Sequence, residues 1–365
     1  MKIAIITLPL RHNYGGILQN YALQRVLCQM GHDVTTLEIT KTEGLDIKAK
    51  IVLFIRNLFY KCVDKQGRFL HIWSGLTTEQ RLSANTWKFI ANHIKVRRII
   101  GYPNETEYDA YVVGSDQVWR PKYFDPDIAF LTFTMSFGRV KRIAYAASFG
   151  TENWEYDDAL TKKCSFLVSR FDAISVREKL GIQFCREHFS VEANHVLDPT
   201  MLLSRGDYLQ SLDVKAADIN KGIFYYFLDE NEWKRTLLKR ITLEKGGACF
   251  TVNSKVENSK AAFKDRIQPP VEDWIRAFEE CSFVVTDSFH GTVFSLIFNK
   301  PFIVVGNLDR GLSRFISVLG LFNQEFRLIK ESSVDNIDFS IYWDRPNVSV
   351  ELMRYQSLDF LKNNL

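Results

Sequence analysis

Cysteine is scarce: six in 365 residues, at positions 28, 62, 164, 185, 249 and 281, with no C-x-x-C pair among them. So thin a set makes no disulfide framework in a chain of this length and fits a reducing cytoplasm. The seven histidines are scattered, without H-E-x-x-H or a Cys/His cluster, which leaves no metal-ligand spacing. A G-x-S-x-G elbow is missing too, and with it the sequence mark of α/β-hydrolase acyl transfer. Charge of one sign is also lacking: 47 Lys and Arg face 43 Asp and Glu, a formal net charge of +4. That balance leaves no electrostatic footprint for nucleic acid. No apolar run approaches the roughly 18 to 20 residues that cross a bilayer, and neither an internal repeat nor a low-complexity tract occurs.

What is present is a globular composition, 46% hydrophobic and 25% charged. At roughly 150 residues per domain, the length predicts two domains. The opening MKIAIITLPL has one lysine and an apolar run, but RHNYGG follows with no small-residue cleavage site, so it reads as a first strand and not a signal peptide. GGILQNYALQRVLCQMGH then carries helical spacing up to Gly31, and DVTTLEI reads as a second strand. Strand, glycine turn, helix, strand is the opening of a doubly wound parallel sheet.

Further buried strands are predicted at AYVVGS, RIAYAAS, DAISV and NHVL, with helices near 79–93, 156–170 and 177–187 between them. After LDPTMLL and a polar stretch the alternation restarts. GIFYYFL, a helix to about 245, ACFTV, a helix near 271–280, SFVVT, a further helix and PFIVV compose a second lobe. The reading is α/β in two lobes: 1–205, 215–345, and a final helix within 346–365 for which packing back on the first lobe is an open arrangement. A small anionic substrate is expected at the cleft the lobes face.

Five strand ends carry chemistry-bearing residues. In CSFVVTDSFHGTVFSLIFNKPFIVV a strand ends at Thr286 and a helix starts around Gly291, which puts His290 at the carboxyl edge of a sheet, where ligands bind and helix N-termini attract anions. His290 there suits general acid–base work, against the plainer reading of a packed or capping histidine. Asp287 or Ser288 is placed to cap that helix. The first turn sets Asn13, Tyr14, Gly15 and Gly16 where backbone approaches a ligand, but G-x-G-x-x-G and a P-loop lysine are absent, so dinucleotide binding is poorly supported. YVVGSDQVWR presents Ser115, Asp116 and Gln117, types suited to sugar hydroxyls and proton acceptance, or simply to capping a turn. AISVREKLGI puts Arg177 where its fork can meet phosphate or carboxylate, with an ion pair to Glu178 as the alternative. Arg310 and Arg314 follow PFIVV and add charge there or remain solvated.

Taken together and in order, NYGGILQNYAL, VGSDQVW, SVREKLG, VLDPTMLL and DSFHGTVFSLIFNKPFIVV resemble the polysaccharide pyruvyl transferase family across residues 12 to about 305. The resemblance implies two Rossmann-like lobes facing a cleft, similar to the two-lobed glycosyltransferase architecture, the first lobe on the acceptor side and the second on the donor side. It implies phosphoenolpyruvate as co-substrate with no other cofactor, a saccharide hydroxyl pair as acceptor, and a cyclic pyruvate ketal in bacterial surface polysaccharide, whether capsule or exopolysaccharide. The family's catalytic histidine falls on His290, with Asp116 beside it as a weaker carry-over. Donor contacts fall on Arg177, Ser288, Gly291 and Arg314, and acceptor contacts on Asn13, Tyr14, Gly15, Gly16, Ser115 and Gln117. Members carry an arginine two residues before the histidine, where this chain has Ser288; Arg310, Arg314 or Lys300 would replace that charge, or the donor differs.

Two other classes compete. A nucleotide-sugar glycosyltransferase shares the two-lobed fold, and Glu272 and Glu280 have a suggestive spacing for it. A non-catalytic saccharide-binding protein of the same fold would account for Ser288. Finally, residues 48–68 hold six Lys or Arg against the single acid Asp64, with Ile51, Ile55, Leu58 and Cys62 on one helical face. This predicts either an interfacial helix, placing the enzyme on the inner face of the membrane with a lipid-linked acceptor, or a lobe helix whose apolar arc Val52, Leu53 and Phe54 widen.

Overall fold

The computed structural model describes residues 1–41, 81–214, 222–256, 258–306, 311–330 and 337–365, so the basic stretch 48–68 and Arg310 lie outside the described residues. The chain divides into two compact units. Met1–Phe149, Asn153–Leu202 and Tyr355–Leu365 form the first; Gly150–Glu152 and Leu203–Arg354 form the second.

In the first unit β1 (Lys2–Ile6) leads to α1 (Tyr14–Gln29) and β2 (Asp33–Thr40). Then come α2 (Ala84–His93), β3 (Val96–Ile100), β4 (Ala110–Val113), the short α3 (Pro126–Ala129), β5 (Lys141–Ala147), α4 (Asp158–Val168), β6 (Ala173–Val176), α5 (Lys179–Phe189) and β7 (Asn194–His195). The strands lie in the order β3-β2-β1-β4-β5-β6-β7, all parallel. Ile3 to Ile6 and Ala110 to Val113 are wholly buried, as continuous apolar runs must be when helices cover both faces of a sheet. β3 is a strand the hydrophobic pattern does not announce: VRRII is an edge strand left partly exposed, with two arginines in its centre.

The second unit contains α6 (Arg205–Ser211), β8 (Ile223–Tyr226), α7 (Glu232–Lys245), β9 (Cys249–Phe250), α8 (Phe263–Arg266), α9 (Val271–Glu280), β10 (Phe283–Thr286), α10 (Phe289–Ile297), β11 (Phe302–Val305), α11 (Ser313–Gly320) and β12 (Leu328–Ile329). Its strands order as β12-β11-β10-β8-β9, again parallel. Ile223, Phe283, Val285, Ile303 and Val305 pack one face of this sheet with Leu237 and Ile241 of α7. β12 is too short, at two residues, for a periodic signal.

Two Rossmann-like α/β units are therefore present. The last helix, α12 (Glu351–Asn364), docks from Tyr355 onward on the first unit. There Leu197 N donates to Ser357 Oγ at 3.0 Å, and Lys141 Nζ donates to Asn364 O at 2.9 Å. Among the described residues no helix is long and apolar enough to cross a membrane.

Candidate active site

In the first unit the strand order reverses between β1 and β4, so the turns leaving these strands open a crevice at their carboxyl ends. Asn13 caps α1: its Oδ1 accepts from Gly15 N at 3.0 Å and Gly16 N at 3.3 Å. Tyr14 is buried. A Cβ on Gly16 would stand 3.6 Å from Asp116 Oδ2, an ordinary contact distance, so the turn after β1 lies beside the acid after β4. At Gly114, φ is +131° and a Cβ would fall 2.0 Å from Tyr145 O, a position only glycine can hold.

Ser115 is fully buried and committed to the frame. Its N–H donates to Gln19 Oε1 at 3.0 Å, and its hydroxyl lies 3.0 Å from Ala146 O and 3.3 Å from Asp198 Oδ2. Its side chain ties the end of β4 to the end of β5 and to Asp198. Gln117 Oε1 accepts from Arg120 Nη1 at 3.3 Å.

Arg177, just past β6, sits in a buried ion cluster. Nη1 meets Asp198 Oδ2 at 2.7 Å, Nη2 meets Asp116 Oδ1 at 3.1 Å, and Nε meets Glu178 Oε1 at 3.2 Å. Burial alone would lower the guanidinium pKa; the fields of Asp198, Asp116 and Glu178 outweigh it and raise it. The expected fork toward a donor anion is not what this geometry shows, because the fork already faces three carboxylates.

The second unit reverses between β8 and β10. Asp287, the residue after β10, does not cap α10. Its Oδ1 accepts from Leu228 N at 2.7 Å, its Oδ2 accepts from Asp229 N at 3.2 Å, and Lys234 Nζ of α7 lies 2.6 Å from Oδ2. Burial raises its pKa, opposed by Lys234 and the two backbone N–H groups. The cap is Ser288, whose Oγ accepts from Gly291 N at 3.3 Å. Of the two residues the sequence offers as caps, Ser288 is therefore the one that caps α10. A Cβ on Gly291 would lie 2.3 Å from Thr286 Oγ1, so the glycine lets α10 start hard against β10.

His290 stands in the first turn of α10, buried, its ring 5.2 Å from that of Phe289. The Arg314 guanidinium of α11 lies over the Phe289 ring, 5.8 Å from its centroid. Lys300 is elsewhere: its Nζ donates to Glu279 O at 2.7 Å and Cys281 O at 3.0 Å, closing the end of α9. Of Arg314 and Lys300, Arg314 is the one beside Phe289, the residue before His290. Among the described residues no group of three or more His, Cys, Asp or Glu side chains is arranged to hold a metal ion.

A family model described as polysaccharide pyruvyl transferase matches residues 13–310. The chain belongs to the polysaccharide pyruvyl transferase family. It is a transferase family acting in polysaccharide synthesis, and a polysaccharide acceptor follows from membership. No curated protein matches the chain in sequence. Among solved structures it is similar to UDP-GlcNAc 2-epimerase from Neisseria meningitidis bound to UDP-GlcNAc, at 11% identity, TM-score 0.55 and 100% coverage of both chains. It is also similar to S. aureus MnaA with UDP, at 10% identity, TM-score 0.51 and coverage of 99% of this chain and 96% of that one. Arabidopsis thaliana UGT89C1 with UDP-L-rhamnose gives 10% identity and TM-score 0.51, covering 98% and 97%. At such identities these likenesses show the two-unit fold alone.

Within this pyruvyl transferase family member, sequence reasoning passed over three site residues. Asp198 lies inside the quoted VLDPTMLL motif, so a signal existed; its Oδ1 also accepts from Thr200 N at 3.0 Å and Thr200 Oγ1 at 2.7 Å. Glu178 was seen only as an ion-pair alternative. Lys234 carried no signal at all, being one of several lysines and arginines on α7.

Proposed function

We propose that the protein transfers the pyruvyl group of phosphoenolpyruvate to a pair of hydroxyls on a saccharide, forming a cyclic ketal. What carries the reading is the family match over residues 13–310, together with His290 in the first turn of α10. A proton added to the methylene carbon turns it into a methyl and makes the central carbon electrophilic. One hydroxyl oxygen bonds to that carbon and loses its proton; the carbon–oxygen bond to phosphate breaks, its electron pair leaving with phosphate. The second hydroxyl closes the ketal. Of the two hydroxyl protons, one balances that given to carbon and the other leaves on hydrogen phosphate.

In this reading His290 delivers the carbon-bound proton. The α10 N-terminus, with its dipole, and Arg314 hold the donor anion. Asp116 accepts a hydroxyl proton from the acceptor. The first unit's cluster sets three carboxylates against one guanidinium, an excess of negative charge that suits a neutral sugar and repels a donor anion.

Purified protein given phosphoenolpyruvate and candidate saccharides is expected to release phosphate only with an acceptor present, and the product mass reports the ketal. Release of a nucleotide from UDP-sugars instead, or saccharide binding without turnover, would replace the reading. The acceptor is further proposed to be lipid-linked, with residues 48–68 meeting the inner membrane face, each cation there adding about 1 kcal/mol towards anionic lipid. Sedimentation with anionic but not neutral liposomes checks this.

A further inference from the structure

We propose that Arg177 is a positioning residue, which aims the Asp116 carboxylate at the glycine turn after β1 and does not bind the donor. The inference rests on the reading of Asp116 as proton acceptor.

The cluster is assembled from four strand ends. Asp116 follows β4, Ser148 follows β5, Arg177 and Glu178 follow β6, and Asp198 follows β7. Behind Arg177 the frame is tied down: Ser115 and Thr200 hydroxyls reach Asp198, and the Ser148 hydroxyl reaches Glu178. The guanidinium plane is fixed on those two sides, and its third nitrogen is spent on Asp116 Oδ1. A rigid fork can meet three carboxylates in three directions at once; an ammonium cannot.

Exposure rises in one direction through the cluster. Side-chain exposure is 1% for Arg177 and Asp198, 4% for Glu178 and 8% for Asp116. Asp116 is thus the least buried member. Its Oδ1 is held by Arg177, while among the described residues no hydrogen bond reaches Oδ2, the oxygen that faces Gly16. One oxygen is clamped and the other is presented at the switch point of the sheet, which is the arrangement a working carboxylate needs. A donor anion brought to Arg177 would have to displace a carboxylate and enter a region already in negative excess.

The test compares Arg177→Lys, Asp198→Asn and Asp116→Asn with the parent, folding being checked by circular dichroism and melting. Calorimetric phosphoenolpyruvate affinity is expected within about twofold of parent for Arg177→Lys and Asp198→Asn. Their kcat is expected to fall on the order of 10- to 100-fold, the cost of a carboxylate misplaced by about 1 Å. Adding either change to Asp116→Asn is expected to lower kcat no further, a coupling that general destabilisation would not produce. Phosphoenolpyruvate affinity weakened tenfold or more in Arg177→Lys with kcat retained would overturn the inference and leave the function standing. Losses that multiply in the double variants would also overturn it. If Arg177→Lys does not fold, Asp198→Asn decides. A parent that never consumes phosphoenolpyruvate removes the function itself, and the inference with it.

Discussion

Lys234 Nζ and Asp287 Oδ2 lie 2.6 Å apart with side chains 4% and 0% exposed, joining the first turn of α7 to the end of β10. The pair spans the strands between which the second sheet reverses, and Asp287 also accepts the backbone N–H groups of Leu228 and Asp229. Removing one partner strands a buried charge. Lys234→Met is expected to cost about 3–5 kcal/mol. The double variant Lys234→Met/Asp287→Asn is expected to cost clearly less than the two single changes summed. Urea unfolding of the four proteins measures both; strict additivity would show that the two groups do not interact.

Gly291→Ala should behave against helix propensity. On an unconstrained helix, alanine would be favoured by about 1 kcal/mol, but here the added Cβ meets Thr286 Oγ1 at 2.3 Å. Thr286 cannot simply yield, since that hydroxyl donates to Tyr226 O at 2.8 Å and accepts from Ser288 N at 3.1 Å. A net destabilisation of about 1–3 kcal/mol is expected, and a melting point equal to or above the parent's would refute the packing account.

For His290 the expectation concerns rate and not fold. His290→Gln keeps a side chain of similar reach in the first turn of α10 and removes the titrating group. Turnover is expected to fall by about 10² to 10⁴ with an unchanged circular dichroism spectrum. More than half of parental turnover in the purified variant would end its assignment as proton donor.

His195, beside the ion cluster, makes stability depend on pH. Burial lowers its pKa; the hydrogen bond from its ring to Arg177 O at 3.2 Å opposes this, and the charge of Lys179 adds to it. The folded state therefore holds the imidazole neutral while the unfolded chain takes up a proton near its ordinary value of about 6.5. The unfolded state binds more protons, so stability is complete above about pH 6.5 and declines as pH falls through it. His195→Gln is expected to lose less stability than the parent between pH 7.5 and 5.5, read by chemical denaturation at each pH. Parallel pH curves for the two proteins would count against it.

Much of the fold is legible in the sequence. AYVV, FVVT and FIVV are short apolar runs bounded by polar turns, and such runs become strands buried on both faces wherever helices alternate with them. The α9 stretch VEDWIRAFEE shows its helical face directly. β3 was not legible, because a partly exposed edge strand with central arginines has neither alternation nor a continuous run. Within the site, the strand-end positions of Asp116, Arg177 and His290 were legible because turn chemistry and periodicity are local.

The sequence by itself determined the order of strands and helices, and so which residues arrive at the carboxyl edges of the two sheets. Only the tertiary structure decided what each arriving side chain is committed to. Arg177 meets Asp198 across 21 residues and Asp116 across 61, Ser115 meets Asp198 across 83, and Asp287 meets Lys234 across 53. A buried charge or hydroxyl must find a partner, and in a parallel sheet the nearest candidates lie on neighbouring strand ends far away in the chain. No local pattern records that choice: of Asp287 and Ser288, both placed by the sequence to cap one helix, the fold gives the cap to Ser288 and the buried lysine to Asp287.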